Sequence, residues 1–378
     1  MNLLTKLFTS TSKRQTVRFA VVGLGNFAQT AILPAFANAT DKAELAALIT
    51  GDPEKAKKLG RKYSAPTYDY EQYEGLLATG DIDAVYIAVP NSEHRKYTEA
   101  AARAGVHVLC EKPLAYSVED AEAMVEACRE AKVHLMTAYR LHFEEGNLAA
   151  ITAIQSGKIG DARLFTSVHT MQVDADNIRT DLSLGGGPLE DIGIYCLNAA
   201  RYLFQSEPTE VTAFAIRGKD RRFKEVPEGV SATLRFPRNR LATFLCGFGE
   251  EKVSEYRVIG TEGVLKMDPA YTWNEDIEQT ISRNEKAKTT TFEHRDQVAA
   301  ELVYFSDCVL NNKKPEPSGH EGYLDVRIID ALRTSYTKHR TVEIEPLTKK
   351  RRPHASQSIK RKPVRKPKPV KAPPPSNK

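Results

Sequence analysis

The chain has 378 residues, 41 % of them hydrophobic and 27 % charged, enough for two globular domains of ordinary composition. No apolar run reaches bilayer length, and the residues before the first strand lack the apolar core of a secretory signal, so a cytoplasmic protein is expected. The formal charge of +5 is uneven: residues 349–378 hold twelve Lys/Arg and no acid, leaving 42 basic against 49 acidic residues elsewhere, which speaks against a large basic nucleic-acid face on the body.

In chain order, residues 1–16 form a short N-terminal arm. "VRFAVV" (17–22) is an apolar strand. "GLGNFAQTAILPAF" turns into a helix that Pro34 kinks or shortens. "AELAALI" (43–49) is a second strand, and 52–63 a helix with Asp52 as N-cap and Pro53 at its first position. Strand 82–89, helix 92–105, strand "HVLC", helix 117–131 and strand 134–138 follow. Continuous apolar strands alternating with helices predict a parallel sheet covered on both faces. Past residue 140 the rhythm changes. A helix near 144–156, a strand near 161–171, a glycine loop and a long helix lead into five strands that alternate apolar and polar residues, as in an antiparallel sheet. Thr261-Glu262-Gly263 predicts a hairpin turn. Two helices near 297–311 and 320–337 are expected to close this domain.

Cys110, Cys128, Cys196, Cys246 and Cys308 are odd in number and widely spaced, which fits reduced thiols. The nine histidines show no ligand spacing, so no metal site is expected. The Pro/Lys-rich segment 346–378 is too poor in apolar residues to bury a core and is expected to be disordered. It reads either as a solubilising appendage or as an electrostatic tether to nucleic acid, an anionic membrane or the acidic body.

Gly23-Leu24-Gly25-Asn26-Phe27-Ala28 is G-x-G-x-x-A between a strand and a helix. The first glycine makes the turn, the second admits a pyrophosphate, and Ala28 lets helix and strand pack. Free N–H groups of the helix then face the phosphates. An NAD site usually ends the second strand with an acid that binds the ribose hydroxyls. Here Thr50-Gly51 stands there and Lys55 follows one turn later, which favours NADP over NAD, although Asp52 could turn toward the ribose.

In "GGGPLEDIGIYCLNAARYLF" (185–204), Leu189, Ile192, Cys196, Ala199 and Leu203 trace a buried helical face. Asp191 and Tyr195 lie on the adjacent stripe, one above the other. Gly185–Gly187 let the chain bend closely before them. "VLCEKPLA" (108–115) places Glu111, Lys112 and Pro113 where an apolar strand ends.

Taken with "TGDPEKA" (50–56), "DAVYIAVPNSEH" (83–94) and "AYRLHF" (138–143), these stretches resemble the glucose–fructose oxidoreductase / inositol dehydrogenase family from about residue 17 to 345. The sugar (aldose) oxidoreductases related to glucose–fructose oxidoreductase look closest. The resemblance implies an α/β protein. Residues 17–140 would be an N-terminal Rossmann domain, a doubly wound parallel sheet. Residues 141–345 would be a C-terminal α/β domain with a large open, mostly antiparallel sheet, through which homodimers or homotetramers form. A cis peptide before Pro113 is also implied. Cofactor contacts are implied for Gly23, Gly25, Asn26, Phe27, Ala28, Thr50, Gly51, Lys55, Tyr68, Pro90, Asn91, His94, Glu111, Lys112 and Arg140, with His94 in a structural role. The activity implied is NADP-dependent hydride transfer to or from a sugar, as aldose oxidation at C1, with a second sugar reduced in the coupled variant. An inositol or polyol dehydrogenase and a non-catalytic NADP-binding regulator are the alternatives. Removing hydride from a C–OH group needs a base for the hydroxyl proton. Tyr195 is expected to serve, tuned by Lys112, with Asp191 orienting the sugar and Tyr139, Arg140 and His142 lining the pocket.

Overall fold

The computed structural model describes residues 15–345, 347 and 351–376. Residues 1–14, most of the expected arm, lie outside the described residues.

Strands β1 (Val17–Val22), β2 (Ala43–Ile49), β3 (Thr67–Tyr68), β4 (Ala84–Ile87), β5 (His107–Glu111) and β6 (Leu135–Ala138) form one sheet in the order β3-β2-β1-β4-β5-β6. Every pairing is parallel. Phe19, Val21 and Tyr86 point into one core layer, Ala20, Val22 and Val85 into the other. That two-sided burial is why these strands read as unbroken apolar runs. Successive crossovers leave in opposite directions from β1, which opens a crevice at the carboxyl ends of β1 and β4.

The second sheet has nine strands: β7 (Ala162–Gln172), β8 (Glu210–Ile216), β9 (Gly229–Phe236), β10 (Arg240–Gly247), β11 (Gly249–Gly260), β12 (Val264–Met267), β13 (Ile277–Arg283), β14 (Lys286–Phe292) and β15 (Val342–Glu343). Its order is β14-β13-β12-β11-β7-β10-β9-β8-β15, antiparallel except between β7 and β10. The inner face packs on helix Ile194–Phe204. On the outer face Leu164, Phe214, Ile216, Leu241 and Leu245 stay exposed; Leu164 and Leu241 are direct partners, while Ser231 stands between Leu245 and Phe214.

The two closing helices do not both serve the second sheet as expected. Helix Gln297–Leu310 returns to the first, where Val298, Leu302 and Phe305 join the core of Phe19 and Phe36. The ring centroids of Phe19 and Phe305 are 6.3 Å apart. A boundary at residue 140 cannot capture that return, because helix amphipathicity says that one face is buried but not against which sheet.

The basic tail also departs from its expected disorder. Residues 351–376 lie extended along the body. Ile359 and Val370 pack against the first core, and Ala372 is buried. The cations meet acids of the body: Arg352 with Glu207, Lys360 with Glu145, Arg361 with Asp41, and Lys371 with Glu54. The acidic body, one of the tethers read from the sequence, is engaged by these pairs. Composition counts apolar side chains and misses such pairs, although each is worth only about 0–1 kcal/mol when exposed.

Candidate active site

The glycine turn follows β1. Gly23 has φ +93°, and a Cβ there would stand 2.6 Å from the Ala88 carbonyl oxygen. Only glycine meets both demands. A Cβ on Gly25 would meet nothing within 4 Å, the open space over the backbone that a pyrophosphate requires. Beyond Phe27 the chain makes a π-helical segment, Ala28–Ile32, in which Leu33 N–H donates to the Ala28 carbonyl five residues back. Pro34 has no N–H to continue an α-helical ladder from Thr30, so the wider turn is tolerated.

At the end of β2, Thr50 is buried, and its N–H donates to the Tyr68 carbonyl at 3.0 Å. Asp52 caps helix Pro53–Tyr63, accepting from Glu54 N at 2.8 Å and Lys55 N at 3.1 Å. Both cap bonds go to its Oδ1. The Lys55 ammonium has no ion-pair partner among the described residues. After β4, Pro90 leads into a short turn. The Asn91 amide donates to the Gly185 carbonyl at 2.8 Å, joining the two domains across the crevice. His94 is fully buried, its ring nitrogens against the carbonyls of Val89, Pro113 and Leu114. It braces the turn that carries Lys112, which is a structural task.

The Lys112–Pro113 peptide is cis. Glu111 turns inward: Tyr86 donates its hydroxyl to Glu111 Oε1 at 2.8 Å, and burial pushes the carboxyl up. Lys112 turns the other way, into the crevice. Its ammonium donates to the Asp191 carbonyl at 2.6 Å and to Asp191 Oδ1 at 3.2 Å, and it lies 4.7 Å from the centre of the Tyr195 ring. Arg140 sits 5.0 Å from the same centre, its guanidinium held by the carbonyls of Tyr271 and Thr272 and by Gln297. Tyr195 thus carries two fixed cations against its ring. Its hydroxyl has no hydrogen-bond partner among the described residues.

Asp191 takes a second cation on its other oxygen, Arg179 Nε at 2.6 Å. Burial works against the carboxylate, but Arg179 and Lys112 outweigh it and hold Asp191 below the usual range. Burial likewise works against the Lys112 charge, but Tyr195 and Asp191 raise it above the ordinary lysine value. Both groups are charged throughout the neutral range. The Leu189–Gly193 segment is π-helical as well. Its wide turn is where the Asp191 backbone carbonyl receives Lys112 rather than serving only the helix ladder.

Two pocket candidates belong elsewhere. The Tyr139 hydroxyl donates to buried Asp325, and the Tyr139 ring stacks on His142. His142 contacts Asn198 at 2.8 Å and Glu316 at 3.3 Å. Both rings are buried in an interior network that includes Arg201 and Glu321. Aromatic and titratable side chains next to a functional lysine strand are equally suited to a satisfied polar core, and here the neighbouring carboxylates decide it. Three residues that sequence reasoning missed stand beside the site: Arg179, His169 and Tyr271. His169, pushed down to about 3 by burial, packs 5.6 Å from the Tyr195 ring, and Tyr271 lies 5.9 Å from it.

No group of three or more His, Cys, Asp or Glu suited to a metal occurs among the described residues. No helix among them is long and apolar enough to cross a membrane. The crevice offers a phosphate cradle, a partly buried Lys–Asp–Arg chain and a phenol with a free hydroxyl.

Comparison with known proteins agrees in both halves. Residues 17–139 match the family model described as "Oxidoreductase family, NAD-binding Rossmann fold", and residues 147–266 match "GFO/IDH/MocA C-terminal domain". D-xylose 1-dehydrogenase [NADP(+)] of Haloarcula marismortui is 32% identical over 345 residues, covering 89% of this chain and 95% of that protein. The crystal structure of aldose-aldose oxidoreductase from Caulobacter crescentus, complexed with glycerol, is 36% identical with a TM-score of 0.83, covering 87% of this chain and 100% of that one. A 3-ketoreductase from Actinomadura kijaniata, solved with NADP and TDP-benzene, is 27% identical with a TM-score of 0.78, over 85% of this chain and 98% of that one. The chain belongs to the GFO/IDH/MocA oxidoreductase family.

Proposed function

We propose that the protein is an NADP-dependent sugar oxidoreductase that oxidises an aldose at C1, with reduction of a second sugar as the way the cofactor is returned. The observation that carries this reading is Lys112, fixed on Asp191 beside the free phenol of Tyr195. A relative of similar length named an NADP-dependent D-xylose 1-dehydrogenase supports the same substrate class and cofactor.

The chain's residues fit the dinucleotide. The space above Gly25 admits the pyrophosphate. Asp52 is bound within its cap, Thr50 brings no charge, and Lys55 is free to meet a 2′-phosphate. When bound, NADP supplies the acceptor for the hydride leaving the sugar carbon.

Tyr195 moves the proton. In oxidation its phenolate oxygen takes the hydroxyl proton of the sugar, and in reduction the resulting phenol returns it. The charge on that oxygen changes on a ring that the Lys112 and Arg140 cations already face, 4.7 and 5.0 Å from its centre, so they need no reorganisation. Lys112, anchored twice by Asp191, holds its ammonium at the crevice wall, where it donates to the same sugar oxygen. Asp191 positions Lys112, and its carboxylate lone pairs left over from Lys112 and Arg179 accept a neighbouring sugar hydroxyl. The exposed Leu164, Phe214, Leu241 and Leu245 on the outer face of the second sheet suit pairing of two copies through that sheet.

The test is a panel of aldoses and polyols with NADP, following the absorbance of the reduced nicotinamide. Aldoses should reduce the cofactor and polyols should not. Turnover confined to inositols or other polyols overturns the C1 assignment.

A further inference from the structure

The last described residues cross the mouth of the dinucleotide crevice. Val370 pairs with the side chain of Gln29: its N–H donates to Gln29 Oε1 at 2.7 Å, and its carbonyl accepts from Gln29 Nε2 at 2.9 Å. Asn26, inside the glycine loop, donates to the Ala372 carbonyl at 2.7 Å. Lys371, between them, reaches Glu54 at 2.9 Å and Asp52 at 3.9 Å, at the N-terminus of helix Pro53–Tyr63. Four residues beyond Lys371, the Pro375 carbonyl accepts from Asp174 N–H at 2.7 Å. Asp174 lies on the second domain, in the segment between β7 and Arg179. The chain therefore touches the phosphate loop, the helix that flanks the ribose position, and then the opposite wall.

We propose that residues 370–375 are a strap over the bound dinucleotide that slows its release, and that Lys371 is a specificity residue for the 2′-phosphate. This rests on the NADP reading above.

Three features of the chain point this way. Asn26 is part of the G-x-G-x-x-A turn, and its amide is used to hold the tail. Glu54 and Asp52 are acids one turn from Thr50 that would repel a 2′-phosphate, and Lys371 neutralises them. With Lys55 it brackets the helix N-terminus by two cations, where an anion is already favoured. The strap can also lift. Upstream, residues 364–368 arch over an open cavity of about 980 Å³ against Leu33, Phe36 and Tyr63, with Lys366 resting over the Trp273 ring. Lys371 is exposed, and its pairs weaken with salt.

Release is measured by stopped flow: protein loaded with reduced cofactor is mixed with excess oxidised cofactor, and the loss of nicotinamide fluorescence is followed. The chain is compared intact, ended at Pro369, and as full-length Lys371→Glu. Ending at Pro369 keeps Arg352, Ile359 and Arg361 in place. Release from the shortened chain should be about tenfold faster or more for NADH, and faster still for NADPH, which also loses Lys371. In Lys371→Glu the NADPH rate should rise about tenfold and the NADH rate stay within about twofold, with the difference shrinking at high salt. The point variant keeps the test valid if the shortened chain folds poorly. Unchanged release in both variants overturns the strap. Slower release or tighter binding after shortening also overturns it, since the tail would then be a plug that competes with the cofactor. Equal NADP and NAD affinities in the chain ended at Pro369, which keeps Thr50 and Lys55 but lacks Lys371, would instead overturn the cofactor reading.

Discussion

Replacing Asp191 by Asn removes one charge from a chain of three and leaves its shape. Lys112 Nζ and Arg179 Nε lie 3.2 and 2.6 Å from its two oxygens. At an effective dielectric of about 20, each attraction is at most about 5–6 kcal/mol. Desolvation of these groups cancels much of that, and the side chains of Lys112, Asp191 and Arg179 keep 11%, 20% and 26% of their exposure. Breaking a buried pair costs about 3–5 kcal/mol. The residual exposure, and the Asp191 carbonyl that still accepts from Lys112, bring the expected loss to about 2–4 kcal/mol. Urea unfolding at neutral pH should show it, with kcat down about tenfold or more because Lys112 is no longer fixed. The pH dependence has a definite sign. The Asp191 shift is downward, so its contribution is present above the usual carboxylate range and is lost as pH falls through its lowered native value. The Lys112 shift is upward, so its contribution is present below the ordinary lysine value and lost as pH rises through the raised one. Parent and variant should differ by a constant amount across the neutral range and converge in strong acid. Equal stability at neutral pH would refute the claim that Asp191 anchors Lys112.

Lys55→Ala should weaken NADP binding about ten- to hundredfold and leave NAD nearly unchanged, because one charge-assisted hydrogen bond of about 1.5–3 kcal/mol is lost to one cofactor alone; calorimetry with both cofactors measures it, and equal losses would return the ribose to Asp52. Glu190 is buried, and burial pushes its carboxyl up to about 7 from 4.5 despite Arg333. The unfolded chain therefore loses that proton first, and between those pH values the term should cost up to about 3 kcal/mol as pH rises. Glu190→Gln should abolish that part of the slope in urea melts, and an unaltered slope would place the titration on another group.

The parts legible in the sequence were those whose physics is local. Gly23, Gly25 and Ala28 sit within six residues: backbone geometry demands glycine at Gly23, and Gly25 leaves open space over the turn. Leu189, Ile192, Cys196, Ala199 and Leu203 all proved buried, as their spacing required. Lys112, Asp191 and Tyr195 were found by motif, and the structure brings them together. What stayed hidden depends on partners far along the chain. Arg179 meets Asp191 from a glycine-bounded loop with no periodic signal. Tyr139 and His142 turn inward because Asp325, Asn198 and Glu316 wait there, more than fifty residues away. The tail is held by backbone hydrogen bonds and ion pairs to an acidic body, neither of which composition reports.

The central claim is that Tyr195 moves the proton of a sugar hydroxyl beside bound NADP. Single-turnover reduction of NADP by D-xylose or D-glucose, in the parent protein and in Tyr195→Phe, tests it most directly. The ring of Phe keeps the packing against Lys112 and Arg140, so NADP affinity should not change. The rate should fall at least about a hundredfold, the usual scale of general acid–base catalysis. Near-parental reduction by Tyr195→Phe, with an aldose that the parent protein oxidises, would contradict the account.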